Sequence, residues 1–135
     1  MKHLPTIAGA VLGLAFIAFG GLYFAMTKGM IPMPPPPPAG SPAAFFTSAM
    51  APTGYLIFVK VLEILGGLLV AFPRTRNLGL LVLGPIIVNI LAFNIFIMKG
   101  AELANPVLAL IVALALYLLW SERRAWAALV RRPRA

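Results

Sequence analysis

The chain has 135 residues, of which 61% are hydrophobic and only 10% charged, with a mean hydropathy of +0.99. Soluble domains carry about a quarter charged residues, so this composition excludes a soluble fold and predicts one small polytopic membrane domain. The net charge of +8 does not point to nucleic acid, because most basic residues flank apolar segments as cytoplasmic membrane flanks do. Without cysteine, the chain has no disulfide, no thiolate nucleophile and no cysteine-ligated zinc or cluster.

The first apolar run, Leu4 to Met26, follows Lys2 and His3. It is longer than the roughly 7 to 15 residues of a secretory signal core and ends without a small-x-small cleavage pattern, so a retained membrane helix is expected. Gly9 and Gly13 form a GxxxG, and Gly20 with Gly21 thins the far end; both suit close helix contact.

From Thr27 to Gly54 the composition shifts. Pro34 to Pro38 is an unbroken proline run, a polyproline II strut of about 15 Å at about 3.1 Å per residue, which cannot be membrane helix. Ser41 and Pro42 read as the N-cap and first residue of a short helix that Pro52 stops. Phe45, Phe46, Ala49 and Met50 share one face of it, which suits a segment lying flat at the membrane surface. A second span runs over 54–72, and Pro73 to Asn77 makes a cationic turn into a third over 78–98. That third span contains Gly84-Pro85, expected to kink it, and two amides, Asn89 and Asn94. Asn105 and Pro106 again read as N-cap and first turn, opening a fourth span over 105–121 that can continue to Val130, with Arg123 and Arg124 snorkelling and Trp120 and Trp126 at the headgroups.

The expected fold is therefore all-α, an integral membrane four-helix bundle with spans over 4–26, 54–72, 78–98 and 105–121, a proline-rich loop over 27–53 and a basic tail over 122–135. Four spans gather Lys2, Arg74, Arg76 and the arginines from Arg123 to Arg134 on one side, leaving Lys28 and Lys99 on the other. Both termini are then cytoplasmic and the proline loop faces outward. Small residues on the first two spans permit a homo-oligomer, or packing inside one bundle.

Lys60 and Glu63 lie inside the second span, where each charge costs about 2.5 to 3.5 kcal/mol at mid-membrane. At i and i+3 they share a helical face with Gly67 and Val70. At about 1.5 Å per residue Lys60 lies roughly 9 Å below the outer surface with Glu63 deeper, and the third span brings Asn89 to the depth of Glu63 and Asn94 to that of Lys60. Five residues separate those amides by about 140° of rotation, so only one points straight at the second span unless the helix bends. Three uses remain open: an ion pair that fixes helix register; a site where the ammonium and amides hold the carbonyl oxygens of a quinone or another polar-headed lipid while Phe93, Phe96, Phe58 and the glycine patch take its apolar body; or a proton path, left incomplete by a single acid.

Other chemistry has no residues to carry it. His3, the lone histidine, excludes a bis-histidine haem within the chain and leaves a triad without a base in the membrane. Glu63, Glu102 and Glu122 fall at three depths, too scattered for a carboxylate metal cage. The glycines at 66 and 67 lack the following lysine and hydroxyl of a P-loop. Tyr23, Tyr55 and Tyr117 sit towards span ends and read as interfacial anchors.

The loop PMPPPPPAGSPAAFFTSAMAPTGYL, the continuation FVKVLEILGGLLVAF and the run LGPIIVNILAFNIFI resemble the DoxX family of small four-span bacterial membrane proteins, in its DoxX-like branch. The matching order is a proline loop, Lys60-x-x-Glu63-x-x-Gly66-Gly67, then Gly84-Pro85-x-x-x-Asn89-Ile90. DoxX is similar to the small membrane subunit of thiosulfate:quinone oxidoreductase. The resemblance thus implies an inner-membrane accessory subunit of a quinone-linked redox system, partnered by redox proteins and the bilayer; the residues themselves point to a polar centre of Lys60, Glu63, Asn89 and Asn94, with Lys60 and Asn94 donating to a ligand carbonyl and Glu63 as counter-ion. A small transporter or a lipid-binding scaffold using the same centre is the competing expectation. One departure stands out: the family commonly ends N-I-x-x-F-H with histidine, and here that position is Asn94, which keeps hydrogen bonding but loses a group that titrates near neutral pH.

Overall fold

The computed structural model describes residues 2–101 and 103–133. Glu102 and Arg134, counted above among the acids and the tail arginines, lie outside them. Six helices follow in order: α1 (Leu4–Thr27), α2 (Pro42–Met50), α3 (Tyr55–Ala71), α4 (Arg76–Ala92), α5 (Pro106–Ser121) and α6 (Arg123–Val130), with no strand among the described residues. α4 runs on as a π-helical segment, Phe93–Ile97. Two of these helices are long and apolar enough to cross a membrane, α1 and the continuous Arg76–Ile97; two further crossings arise if α2 with α3, and α5 with α6, each count as one broken span. The protein is thus an all-helical bundle with two to four candidate spans.

Local chemistry explains the boundaries. Ser41 caps α2, its side chain accepting the Ala44 N–H at 3.2 Å, and Asn105 caps α5, its Oδ1 accepting the Val107 N–H at 2.9 Å. In both, proline takes the first helical position, where a missing N–H costs nothing. Pro85 lies inside α4, which passes it without interruption; the irregularity appears instead two turns later, in the π segment. α5 does not continue straight to Val130: it ends at Ser121 and α6 turns away by 69°. There the Arg123 guanidinium sits over the Trp120 ring at 4.4 Å and donates to the Trp120 carbonyl at 2.9 Å, so it caps α5 instead of extending it.

α1 packs most extensively on α3, running antiparallel to it, α3 on α4, and α5 on α1 with lighter contact to α4. The fully buried side chains, Leu12, Phe16, Val70, Leu83 and Leu118, come from all four. The α1–α3 contact is close because glycine faces glycine: a Cβ on Gly67 would stand 2.7 Å from the Gly13 carbonyl oxygen, and one on Gly13 would run into the Gly67 carbonyl in return. Gly9 and Gly20 lie on the same seam, against the Val70 carbonyl and Ile64. The GxxxG of the first run is consumed inside the bundle and is not free for a second copy.

α2 lies at 85° to α3. It turns Phe46, Met50 and the buried Ala43 inward, with the Phe46 ring 4.9 Å from that of Phe93, while Phe45 is 66% exposed and Ala49 is also exposed. The expected shared face is therefore split: residues 45 and 49 sit a helical step away from the 43, 46, 50 row that touches the bundle.

At the opposite end, Arg76 is not a loop cation but a buried one, 5% exposed. Its Nη1 donates to Glu122 Oε1 at 3.3 Å, and Asn77 Nδ2 donates to Glu122 Oε2 at 3.4 Å, clasping the start of α4 to the α5–α6 corner. Glu122→Ala is expected to lower stability by about 2 kcal/mol. Removing one partner of a fully buried pair costs about 3 to 5 kcal/mol, reduced here because the Glu122 side chain is 27% exposed. Equilibrium unfolding in mixed detergent micelles measures it, and Arg74→Ala, on the exposed turn, should change little.

Candidate functional site

Lys60 stands one turn into α3 and Glu63 one turn further. Lys60 Nζ donates to both carboxylate oxygens of Glu63, at 3.3 and 3.2 Å, so spacing along one helix makes a bidentate pair without help from another element. Burial is unequal: Glu63 is 4% exposed, whereas the Lys60 side chain retains 25%. The lysine tip leans over the Tyr23 ring of α1, 5.8 Å from its centroid. Two of its three N–H groups are engaged by Glu63; the third has no hydrogen-bond partner among the described residues.

Asn94 is the amide that faces this pair. It is buried, and its Nδ2 donates to the Ile90 carbonyl at 2.8 Å. Since Ile90 offers only an acceptor there, the nitrogen must face it and Oδ1 must point the other way. The side chain thereby competes for the backbone ladder where i to i+5 spacing begins, Met98 N–H bonding the Phe93 carbonyl at 3.0 Å. The Asn94 carbonyl accepts the Gly100 N–H at 2.7 Å, and Lys99 and Gly100 both take positive φ, 53° and 82°, to turn the chain back. With its amide nitrogen held by Ile90 and its backbone carbonyl by Gly100, Asn94 is well placed to present a fixed side-chain oxygen.

These groups border a cavity of about 400 Å³ among α1, α3, the end of α4 and α5. Phe16, Ile87, Ile90 and Ile111 form its apolar wall; Lys60, Glu63, Asn94, Tyr23 and Asn105 supply its polar groups. Phe19, Leu22 and Val107 line it and are also exposed, so its mouth opens between α1 and α5. This volume falls within the roughly 300 to 1,000 Å³ of small-molecule sites, which likewise pair apolar walls with a few polar groups.

Of the residues singled out from sequence, Lys60, Glu63 and Asn94 come together here. Asn89 does not: it is exposed on the outer side of α4, because the 140° between the two amides lets one face inward and sends the other out. Phe93, one residue before Asn94, points about 100° from it and packs at a 60° tilt against Phe46. Phe58 and Phe96 are 59% and 76% exposed, and Gly67 is filled by α1, so the apolar body of a ligand would meet Phe16, Phe19 and Ile87 instead. Asn94 already spends one N–H on Ile90, so its free oxygen makes it an acceptor as well as a donor.

Tyr23 and Asn105 are the residues sequence reasoning left out. A signal existed for Tyr23. It stands four residues before the end of α1 and Lys60 five after the start of α3, roughly 6 and 8 Å from the same end at about 1.5 Å per residue. Nothing in the sequence marks the rotation that turns Asn105 to the mouth.

No family model matches the chain, and no solved structure does. It is similar to the uncharacterized protein YwoB of Bacillus subtilis (strain 168), 35% identical over 77 residues, which make up 57% of this chain and 48% of that protein. The chain spans about half the length of this curated relative.

Proposed function

We propose that the protein is a DoxX-like membrane subunit of the bacterial inner membrane that holds the polar head of a quinone, or of a lipid with similar carbonyls, in the cavity beside Lys60. It serves a quinone-linked redox system as an accessory and not as the catalyst. The observation that carries this reading is the convergence of the third lysine N–H, the Asn94 amide and an apolar wall on one cavity whose mouth lies between two helices. A carbonyl at the end of a hydrophobic molecule fits both parts: its oxygen accepts from Lys60, and its ring and tail replace lipid against Phe16 and Phe19.

All four of α1, α3, α4 and α5 cross the membrane in this reading. α3 and α5 have 17 and 16 residues, about 24 to 26 Å at about 1.5 Å per residue, near the short end of what spans hydrocarbon. α2 and α6 then lie along the two surfaces. Support comes from the bundle's own ends: Gly9 of α1, Arg76 of α4 and Glu122 after α5 meet at one end, the end that carries Arg74, Arg123 and Arg124. The positive-inside rule makes that end cytoplasmic.

Titration of a short-tailed benzoquinone into the protein in nanodiscs tests the binding claim calorimetrically. Saturable binding is expected, weakened about ten- to a hundredfold in Lys60→Met/Glu63→Leu, the loss that follows from removing a hydrogen bond to a charged group. Binding equally tight in that variant, or none in the wild type, refutes it.

A further inference from the structure

The outward amide Asn89 belongs to no site described so far. It stands in the middle of the continuous helix Arg76–Ile97, one of the two helices that suffice on their own to cross a membrane. It is exposed, and its side chain makes no hydrogen bond to any described residue. Along the row 78, 81, 85, 89, 92, 96, which recurs every three or four residues, the other exposed residues are apolar: Leu78 and Leu81 are each 53% exposed, Pro85 is exposed and Phe96 is 76% exposed. Pro85 supplies no N–H, which leaves the Leu81 carbonyl without its helical partner below Asn89. One helix face thus presents to hydrocarbon an amide with two donors and an acceptor, all unmatched, in a row of side chains at the spacing of a helix-packing seam.

We propose that this face of α4 docks a second copy of this chain, with Asn89 of each copy hydrogen-bonded to Asn89 of the other. Symmetry favours a second copy as the occupant. Two identical chains inserted with the same orientation relate by a two-fold axis along the membrane normal, which keeps each residue at the depth of its twin. An amide is self-complementary under that operation, its N–H meeting the other's oxygen twice over, whereas two like charges or two acceptors would not be. Polar side chains joined across helices are a recognised driving force for association in lipid, where no water competes. The small residues of α1 and α3 play no part, because they are packed against each other within one chain. This inference rests on α4 crossing the membrane and is independent of what the cavity binds.

The absence of native cysteine makes the test clean. Single cysteines placed at Ala92 or Phe96, on the Asn89 row, in nanodisc-reconstituted protein should form disulfide-linked dimers on mild oxidation, while cysteines at Leu14 or Leu116, 65% and 60% exposed on other helices, should not. Analytical ultracentrifugation in detergent should show a monomer–dimer equilibrium whose constant falls about tenfold in Asn89→Leu and is retained in Asn89→Gln. Since the side chain is exposed, Asn89→Leu should fold normally, and a thermal unfolding midpoint unchanged from wild type verifies it. A monomeric wild type, equal dimerisation of Asn89→Leu, or cross-linking that favours Leu14 or Leu116 would overturn the proposal and assign the face to lipid or to a different protein.

Discussion

Lys60→Met is expected to destabilise the protein by about 3 kcal/mol, and adding Glu63→Leu is expected to restore most of that loss. The asymmetry of burial sets the direction. Glu63, 4% exposed, has no hydrogen bond among the described residues except those from Lys60, so methionine leaves an anion in an apolar bundle with nothing to balance it. The reverse change is milder, because Lys60 is 25% exposed on its side chain and can swing its ammonium towards the mouth of the cavity. Replacing both partners removes the penalty, and fully apolar replacements of buried pairs are often neutral or stabilising. A pair kept only for stability would therefore be dispensable to function as well as to folding. Lys60→Met/Glu63→Leu is instead expected to fold but to lose ligand. Unfolding by steric trapping in bicelles gives the three stabilities, and the ordering Lys60→Met least stable, double variant near wild type, is the result to look for.

Gly13→Val is expected to have an effect of similar size, about 3 kcal/mol or more, for a purely steric reason. Its Cβ would meet the Gly67 backbone carbonyl and the Ala71 side chain, and the mirrored contact, Gly67 against the Gly13 carbonyl, leaves no slack on either helix. An obstructing side chain can rotate away; an obstructing carbonyl moves only with its helix. Separating α1 from α3 would also draw Tyr23 away from Lys60, so cavity and fold should fail together. Gly21→Ala is the matched control, since a Cβ there has open space, and it should leave stability unchanged or raise it by up to about 1 kcal/mol through helix propensity. Thermal aggregation in detergent, followed by light scattering, separates these two variants readily.

Much of this architecture is written in local chemistry. Charges at 60 and 63 within an apolar run declare a polar centre, and the Ser41-Pro42 and Asn105-Pro106 pairs open helices within a residue of where they are expected. Legibility ends where rotation about a helix axis decides the outcome. Asn89 and Asn94 are chemically identical, each level with one member of the Lys60–Glu63 pair, and only the packing of α4 on α3 and α5 selects which faces the cavity. The π segment is likewise invisible beforehand, because a residue's side chain competing for a carbonyl four places back leaves no compositional mark. The Arg76–Glu122 clasp joins residues 46 apart, and no periodicity singles out Arg76 from the neighbouring Arg74. What does distinguish them is Gly9 on α1, whose missing side chain leaves room beside the Arg76 guanidinium. Even there, two guanidinium nitrogens, Nε and Nη2, are buried with no hydrogen-bond partner among the described residues.

The most direct test is to purify the protein from native membranes into nanodiscs and weigh what comes with it. Native mass spectrometry should find a quinone, or a lipid with an equivalent carbonyl head, bound stoichiometrically to the wild type and missing from Lys60→Met/Glu63→Leu of equal stability. Finding only bulk phospholipid, in equal amounts on both proteins, would contradict a ligand site at Lys60 and leave the ion pair with no role beyond packing.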